Sequence, residues 1–299
     1  MRVDPGYISN LVSALNDTQV REQQLSNQLA SGVRINSLSD DPVSAGRNVL
    51  LLNQIQRDDA FTQSSSLVTG KLQVADSALG SVVSQLNQAI SLATSACNGT
   101  KNPSDLKAIG NQLAGILAEV ESLANSNYQG QYIFAGGKTN AQPFTTDSSI
   151  SPAVTSYGGN GDVIYLETPN GQKIQMNVPG DQIFLGPKSV FGVLNSLVAQ
   201  FSSGTVDQTE AQQDTSDLSA ALNYVSQERV LIDNSITQLT AASGAIATEK
   251  TQLSAAQTEL MQADLATVAT QLSLSKTQQA ALESVIVQLG SGSLFDKLH

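Results

Sequence analysis

Apolar residues at alternating spacings of three and four run along both ends of this chain and lapse in its centre. The two ends are therefore expected to be long helices that pack on each other. The first seam is Ile8, Leu11, Leu15, Thr18, Glu22, Leu25 and Leu29, with two polar interruptions, and Gly32 follows as a helix stop. Asp41-Pro42 then reads as a helix start, because the carboxylate accepts from free amides and proline suits the first helical position. The helix it opens keeps a seam of Leu72, Ala75, Leu79, Val82, Leu86, Ala89, Ala93 and Ala96, and Asn98-Gly99 ends it. Asn102-Pro103 starts another, with Leu106, Ile109, Leu113, Ile116, Val120 and Leu123 on one face.

The returning half carries the longest pattern: Leu218, Leu222, Val225, Arg229, Ile232, Ile236, Leu239, Ser243, Ile246, Lys250, Leu253, Gln257 and Leu260. The frame then slips by one residue, and a new seam runs through Leu265, Val268, Leu272, Ser275, Gln279, Leu282, Ile286 and Leu289. Such a slip marks a junction between helices rather than one continuous coiled coil. The outgoing helix and the returning stretch from about Thr205 to Leu260 have nearly equal lengths, each reaching about 80 Å at the helical rise.

Nine of the thirteen aromatic residues lie between Tyr128 and Phe201, and the middle reads as strands and turns. Val163–Thr168, the turn Pro169-Asn170-Gly171, and the alternation Ile174, Met176, Val178 predict a hairpin. Val190–Phe201 reads as a short amphipathic helix. The expected fold is mainly α, a long antiparallel helical rod of N- and C-terminal halves with a small β-rich middle domain. The expected division is a terminal helical pair (1–41 with 262–299), a helical rod domain (42–130 with 202–261) and a β-rich domain (131–201).

Composition narrows the function. A net charge of −11, with no Lys/Arg cluster, argues against a nucleic-acid partner. No apolar run exceeds four residues, so no membrane span is expected and export would use a route without a cleaved signal peptide. One cysteine, Cys97, and one histidine, His299, leave little for metal ligation or acid–base work, so neither cofactor nor enzymatic activity is expected. Asp40-Asp41 is better read as helix capping than as a catalytic or metal-binding carboxylate pair. Gly136-Gly137-Lys138-Thr139 fails as a phosphate loop, because Tyr132 stands where the pattern needs glycine.

Several phrases are similar to those of the flagellin superfamily. They are Ala30-Ser31-Gly32-Val33-Arg34-Ile35-Asn36, the stretch Leu123–Gly137 with its Tyr-Ile-Phe-Ala-Gly-Gly ending, Asp264-Leu265-Ala266 through Gln271-Leu272, and Ser293–Leu298. Asp40-Asp41-Pro42-Val43 resembles the version found in hook–filament junction proteins, where flagellins usually have Ala-Ala-Gly after the two aspartates. Ala30 replaces a usual serine, and Asp4-Pro5-Gly6 is an unusual opening.

The resemblance implies a structural subunit of the bacterial flagellum at the hook–filament junction, with a filament subunit as the alternative. It further implies type III export to the cell exterior, a homo-oligomeric ring, contacts with hook-associated and flagellin subunits, and a cytoplasmic chaperone at the C-terminal helices. A two-helix terminal pair has little core of its own, and here Thr18, Glu22, Ser275 and Gln279 dilute it. The expected assembly interface is therefore Ile8, Leu11, Leu15, Leu25, Leu29, Leu265, Val268, Leu272, Leu282, Ile286 and Leu289, completed by other subunits.

Overall fold

The computed structural model describes residues 5–97 and 101–291. The turn Asn98-Gly99-Thr100 and the Ser293–Leu298 phrase lie outside them. Seven helices carry the described chain: α1 (Pro5–Ser31), α2 (Pro42–Ala96), α3 (Pro103–Ala124), α4 (Gly180–Phe184), α5 (Val190–Ser203), α6 (Gln208–Met261) and α7 (Leu265–Ser291). Between α3 and α4 lie three antiparallel two-stranded ribbons. These are β1 (Asn127–Tyr128) with β2 (Gln131–Tyr132), β3 (Phe144–Asp147) with β4 (Val154–Tyr157), and β5 (Tyr165–Glu167) with β6 (Lys173–Gln175). The fold is mainly α with a small region of short strands, as the patterning predicts. The chain forms two compact units, residues 57–248 and residues 1–56 with 249–299, and the division falls inside α2 and α6. Residues 131–201 belong to the same unit as the helical segments that flank them.

In the unit of residues 57–248, all eight α2 seam positions from Leu72 to Ala96 are buried. They face one core with Leu218, Ala221, Val225, Ile232 and Leu239 of α6. Four of the eight are alanines, which let neighbouring helices approach closely. Helices α2 and α6 run antiparallel here. Ser65 and Ser243 share a hydroxyl hydrogen bond of 2.8 Å, and Arg229 Nη2 donates to Asp76 Oδ2 at 3.1 Å. The sequence pattern placed Arg229 on the seam, yet its side chain is 38% exposed and its guanidinium lies beside Gly80 and pairs with Asp76.

Local signals start and stop the shorter helices. Asn102 Oδ1 accepts from the Asp105 amide at 2.8 Å ahead of Pro103, and Ser189 Oγ accepts from the Gly192 amide. Helix α5 ends at Gly204 with φ +79°. The expected hairpin forms with Leu166 opposite Ile174. The ribbons and α4–α5 gather the aromatic side chains around Phe144, whose ring lies 5.0 Å from Phe191 and 5.2 Å from Phe184. These buried rings supply the core that three separate ribbons cannot make alone.

Helix α3 packs directly on α5, and two glycines of α3 make opposite predictions. A β-carbon at Gly110 would stand 2.8 Å from the Ser202 backbone nitrogen, whereas one at Gly115 would meet nothing within 4 Å. Gly115→Ala is expected to stabilise the unit by up to about 1 kcal/mol through helix propensity. In Gly110→Ala the clash, about 1–3 kcal/mol, outweighs the same gain. Thermal unfolding should show a melting temperature raised by the first substitution and lowered by the second.

Candidate assembly site

The unit of residues 1–56 with 249–299 is built on the packing of α1 against α7. Both helices are interrupted beside each other. Gly32 leaves α1 at φ +68°, a left-handed conformation that glycine adopts without steric penalty. Helix α6 stops at Met261 where the apolar frame slips. The two interruptions then bond: Val33 bridges to Gln262, Arg34 N donates to Met261 O at 2.7 Å, and Ala263 N donates to Gly32 O at 3.0 Å.

Side chains fasten this crossing. The Arg34 guanidinium reaches Asp41 Oδ2 at 3.3 Å, Ser44 Oγ at 3.4 Å and Leu260 O at 3.2 Å, while Gln28 Nε2 donates to Arg34 O at 2.8 Å. Asp40 Oδ2 accepts from the amides of Asn36 and Ser37, both at 2.9 Å. Asp41 Oδ1 accepts from the Ser44 amide at 3.0 Å and so caps α2. Asp264 caps α7 by accepting from the amides of Ala266 and Thr267. Paired aspartates thus serve the loop and the helix end, as the capping reading of Asp40-Asp41 expects.

Helices α1 and α7 spend much of their apolar seams on each other. Leu25, Ala263 and Val268 form a small buried cluster with Leu272 packed against it. Leu11, Leu15, Leu282 and Ile286 are half-buried. Ile8 and Leu29 are each 40% exposed and Leu265 is 47% exposed, so these three are only partly covered. The Leu289 side chain lies outside the described residues. The expectation that other subunits complete these seams therefore meets a chain whose seams are already partly matched within it. Sequence reasoning missed Ala263, which sits in the break where no periodicity operates; Ser275, read as diluting the seam, is buried. Asp264 could have been found from the Asp-x-x-Thr spacing that opens α7.

Apolar side chains also stand on the outer surface of this unit. Val20, Leu50 and Val287 are 60%, 69% and 68% exposed, and Leu50, Leu51, Ala256 and Leu260 line a shallow groove with Arg47. Among the described residues no group of three or more His, Cys, Asp or Glu could hold a metal, and no helix is long and apolar enough to cross a membrane. In the other unit, burial pushes the Cys97 thiol up and raises the Glu228 carboxyl, which Tyr224 and Gln182 hydrogen-bond.

The capping carboxylates make the crossing sensitive to acid. The Ser44 hydroxyl and amide, with a smaller part from Arg34, hold Asp41 down to about 2. Thr267 lowers Asp264 and the Ser37 amide lowers Asp40. A carboxylate whose pKa is lower folded than unfolded adds stability above its unfolded pKa and loses it as pH falls through the folded value. Between about pH 4 and pH 2, the amides of Asn36, Ser37, Ser44 and Thr267 should lose protection from hydrogen exchange. Asp41→Asn should remove the Ser44 part of that response.

Comparison with known proteins follows the same lines. The bacterial flagellin N-terminal helical region matches residues 7–139. Flagellar hook-associated protein 3 of Salmonella typhimurium is 28% identical over 60% of this chain, which spans about half, 54%, of that relative's length. A flagellin of Listeria innocua is 26% identical over 91% of this chain and 94% of its own. The crystal structure of flagellar hook-associated protein 3 from Legionella pneumophila superposes with a TM-score of 0.64 at 13% identity, covering 71% of this chain and 98% of that one, and so shares the fold. With the N-terminal helical region matched and relatives on both the hook-associated and the filament side, the chain is similar to the flagellin superfamily.

Proposed function

We propose that this chain is a structural subunit of the bacterial flagellum at the hook–filament junction, with a mechanical rather than a catalytic role. The observation that carries the reading is the apolar surface of the terminal unit. Its seams are only partly used within the chain, and Val20, Leu50 and Val287 stand in solvent. Exposed apolar side chains that other molecules cover on assembly are what an interface of this kind needs. Neighbouring copies, hook-associated subunits and flagellin subunits would cover it, and a homo-oligomeric ring is the expected arrangement. The interface would centre on Ile8, Leu29 and Leu265 together with the half-buried Leu11, Leu15, Leu282 and Ile286, with Leu25, Val268 and Leu272 holding the helices beneath. Leu289 is expected to extend it.

Export through the flagellar type III route would deliver the chain to the cell exterior. A cytoplasmic chaperone on the C-terminal helices would keep α7 from premature association. Asp40-Asp41-Pro42-Val43 supports the junction over the filament, and so does the hook-associated relative. The near full-length alignment with a flagellin supports the second reading, a filament subunit.

Deleting the encoding gene should leave hooks without filaments while flagellin accumulates in the medium, seen by electron microscopy and immunoblotting. Normal filaments on that strain would overturn the junction reading. Long filaments grown from this protein alone would establish the filament reading in its place.

A further inference from the structure

Helices α2 and α6 leave an open apolar groove in the terminal unit. Leu50, Leu51, Ala256 and Leu260 line about 400 Å³ of it, together with Arg47. Leu50 is 69% exposed, so nothing in the unit covers this face. Arg47 on the α2 wall is exposed, and among the described residues no carboxylate pairs with it. On the α6 wall Glu259 adjoins Leu260 in sequence and is exposed too, again with no paired cation among the described residues. An apolar floor thus stands between a cation on one helix and an anion on the other.

The sequence beyond α7 reads Ser293-Leu294-Phe295-Asp296-Lys297-Leu298. Two large apolar residues are followed by an anion and then a cation. That order is complementary to the groove: Leu294 and Phe295 suit the leucines, Asp296 suits Arg47 and Lys297 suits Glu259. In an extended segment successive side chains point to opposite sides, which would send Asp296 and Lys297 to opposite walls. The other segments outside the described residues lack this order. Residues 1–4 place an arginine between their apolar side chains, and residues 98–100 have no large apolar side chain.

The segment cannot fill the groove of its own chain. Helix α7 packs along α1 and carries Ser291 away from Leu265 by about 39 Å at the helical rise. Four further residues span at most ~14 Å, so Phe295 stays at least ~25 Å from Leu265. Leu260 precedes Leu265 by five residues and lies within ~18 Å of it. The rest of the groove, Leu50, Leu51 and Ala256, lies further along α2 and α6.

We infer that the groove between α2 and α6 receives the Leu294–Lys297 segment of a second copy of this chain. The apolar pair would bury against Leu50, Leu51 and Leu260, and the two opposite-charge pairs would fix its direction. One such contact is small, so by itself it holds two copies weakly. Repeated around an assembly, it adds to the other contacts and ties each subunit to a neighbour. The inference deepens the proposed use of the terminal unit as an assembly surface and rests on that reading.

Cross-linking of the full-length protein in concentrated solution tests it. Two variants are made, Cys97→Ser/Ala256→Cys and Cys97→Ser/Ser293→Cys, and treated with a short bismaleimide separately and mixed. The mixture is expected to give at least about tenfold more cross-linked dimer than either variant alone. Adding Arg47→Asp to the first variant should lower that yield about tenfold, and adding Asp296→Arg to the second should then restore it. Restoration by the reversed pair shows that the loss was not one of folding. Equal yields from the mixture and the separate variants would overturn the inference. A yield that Arg47→Asp leaves unchanged, or that the reversed pair does not restore, would overturn it too. The deletion strain tests the junction reading separately, so missing filaments with no cross-link would remove this inference and leave that reading in place.

Discussion

The structure depends on pairing residues that are very far apart in sequence. In the unit of residues 57–248, Ser65 meets Ser243 and Asp76 meets Arg229; in the terminal unit, Asn48 meets Gln257 and Arg34 meets Met261. Each contact joins the outgoing half of the chain to the returning half. Neither half can bury its apolar seam until the other has been made. Isolated helices draw most of their stability from such packing, so the long helices are products of the pairing as much as its cause. The cost is a long loop closure before any reward.

The two units solve the pairing differently. In residues 57–248, alanines on α2 and the aromatic cluster around Phe144 give a continuous core, in which hydrogen-bonded polar side chains such as Ser65 and Asn177 are also buried. In the terminal unit the apolar cluster is three buried side chains, and much of the fastening is polar: two backbone hydrogen bonds, the Arg34 fork and three capping carboxylates. Backbone bonds at a crossing fix position without needing a large core. They leave the helical faces beyond the crossing lightly used.

Much of this was legible in the chain itself. The α2 seam from Leu72 to Ala96 and the α3 face predicted burial because a helix in contact along its length must repeat near every third or fourth residue. The frame slip after Leu260 predicted the break between α6 and α7. Asp41-Pro42 and Asn102-Pro103 predicted helix starts. Other features were not legible. Arg229 falls on a seam position but is partly exposed, and its partner Asp76 explains that. Gly32 was readable as a helix stop, yet its bond from Ala263 was not, because it joins segments more than two hundred residues apart.

Sequence alone determined the long helices, their breaks and the polar dilution of the terminal seams, because these follow from local residue order and helical period. Only the tertiary structure decided which seams meet and that Gly32–Arg34 and Met261–Ala263 bond to each other. Periodicity states that a face must be covered; which face covers it depends on register and on contacts that no local pattern encodes.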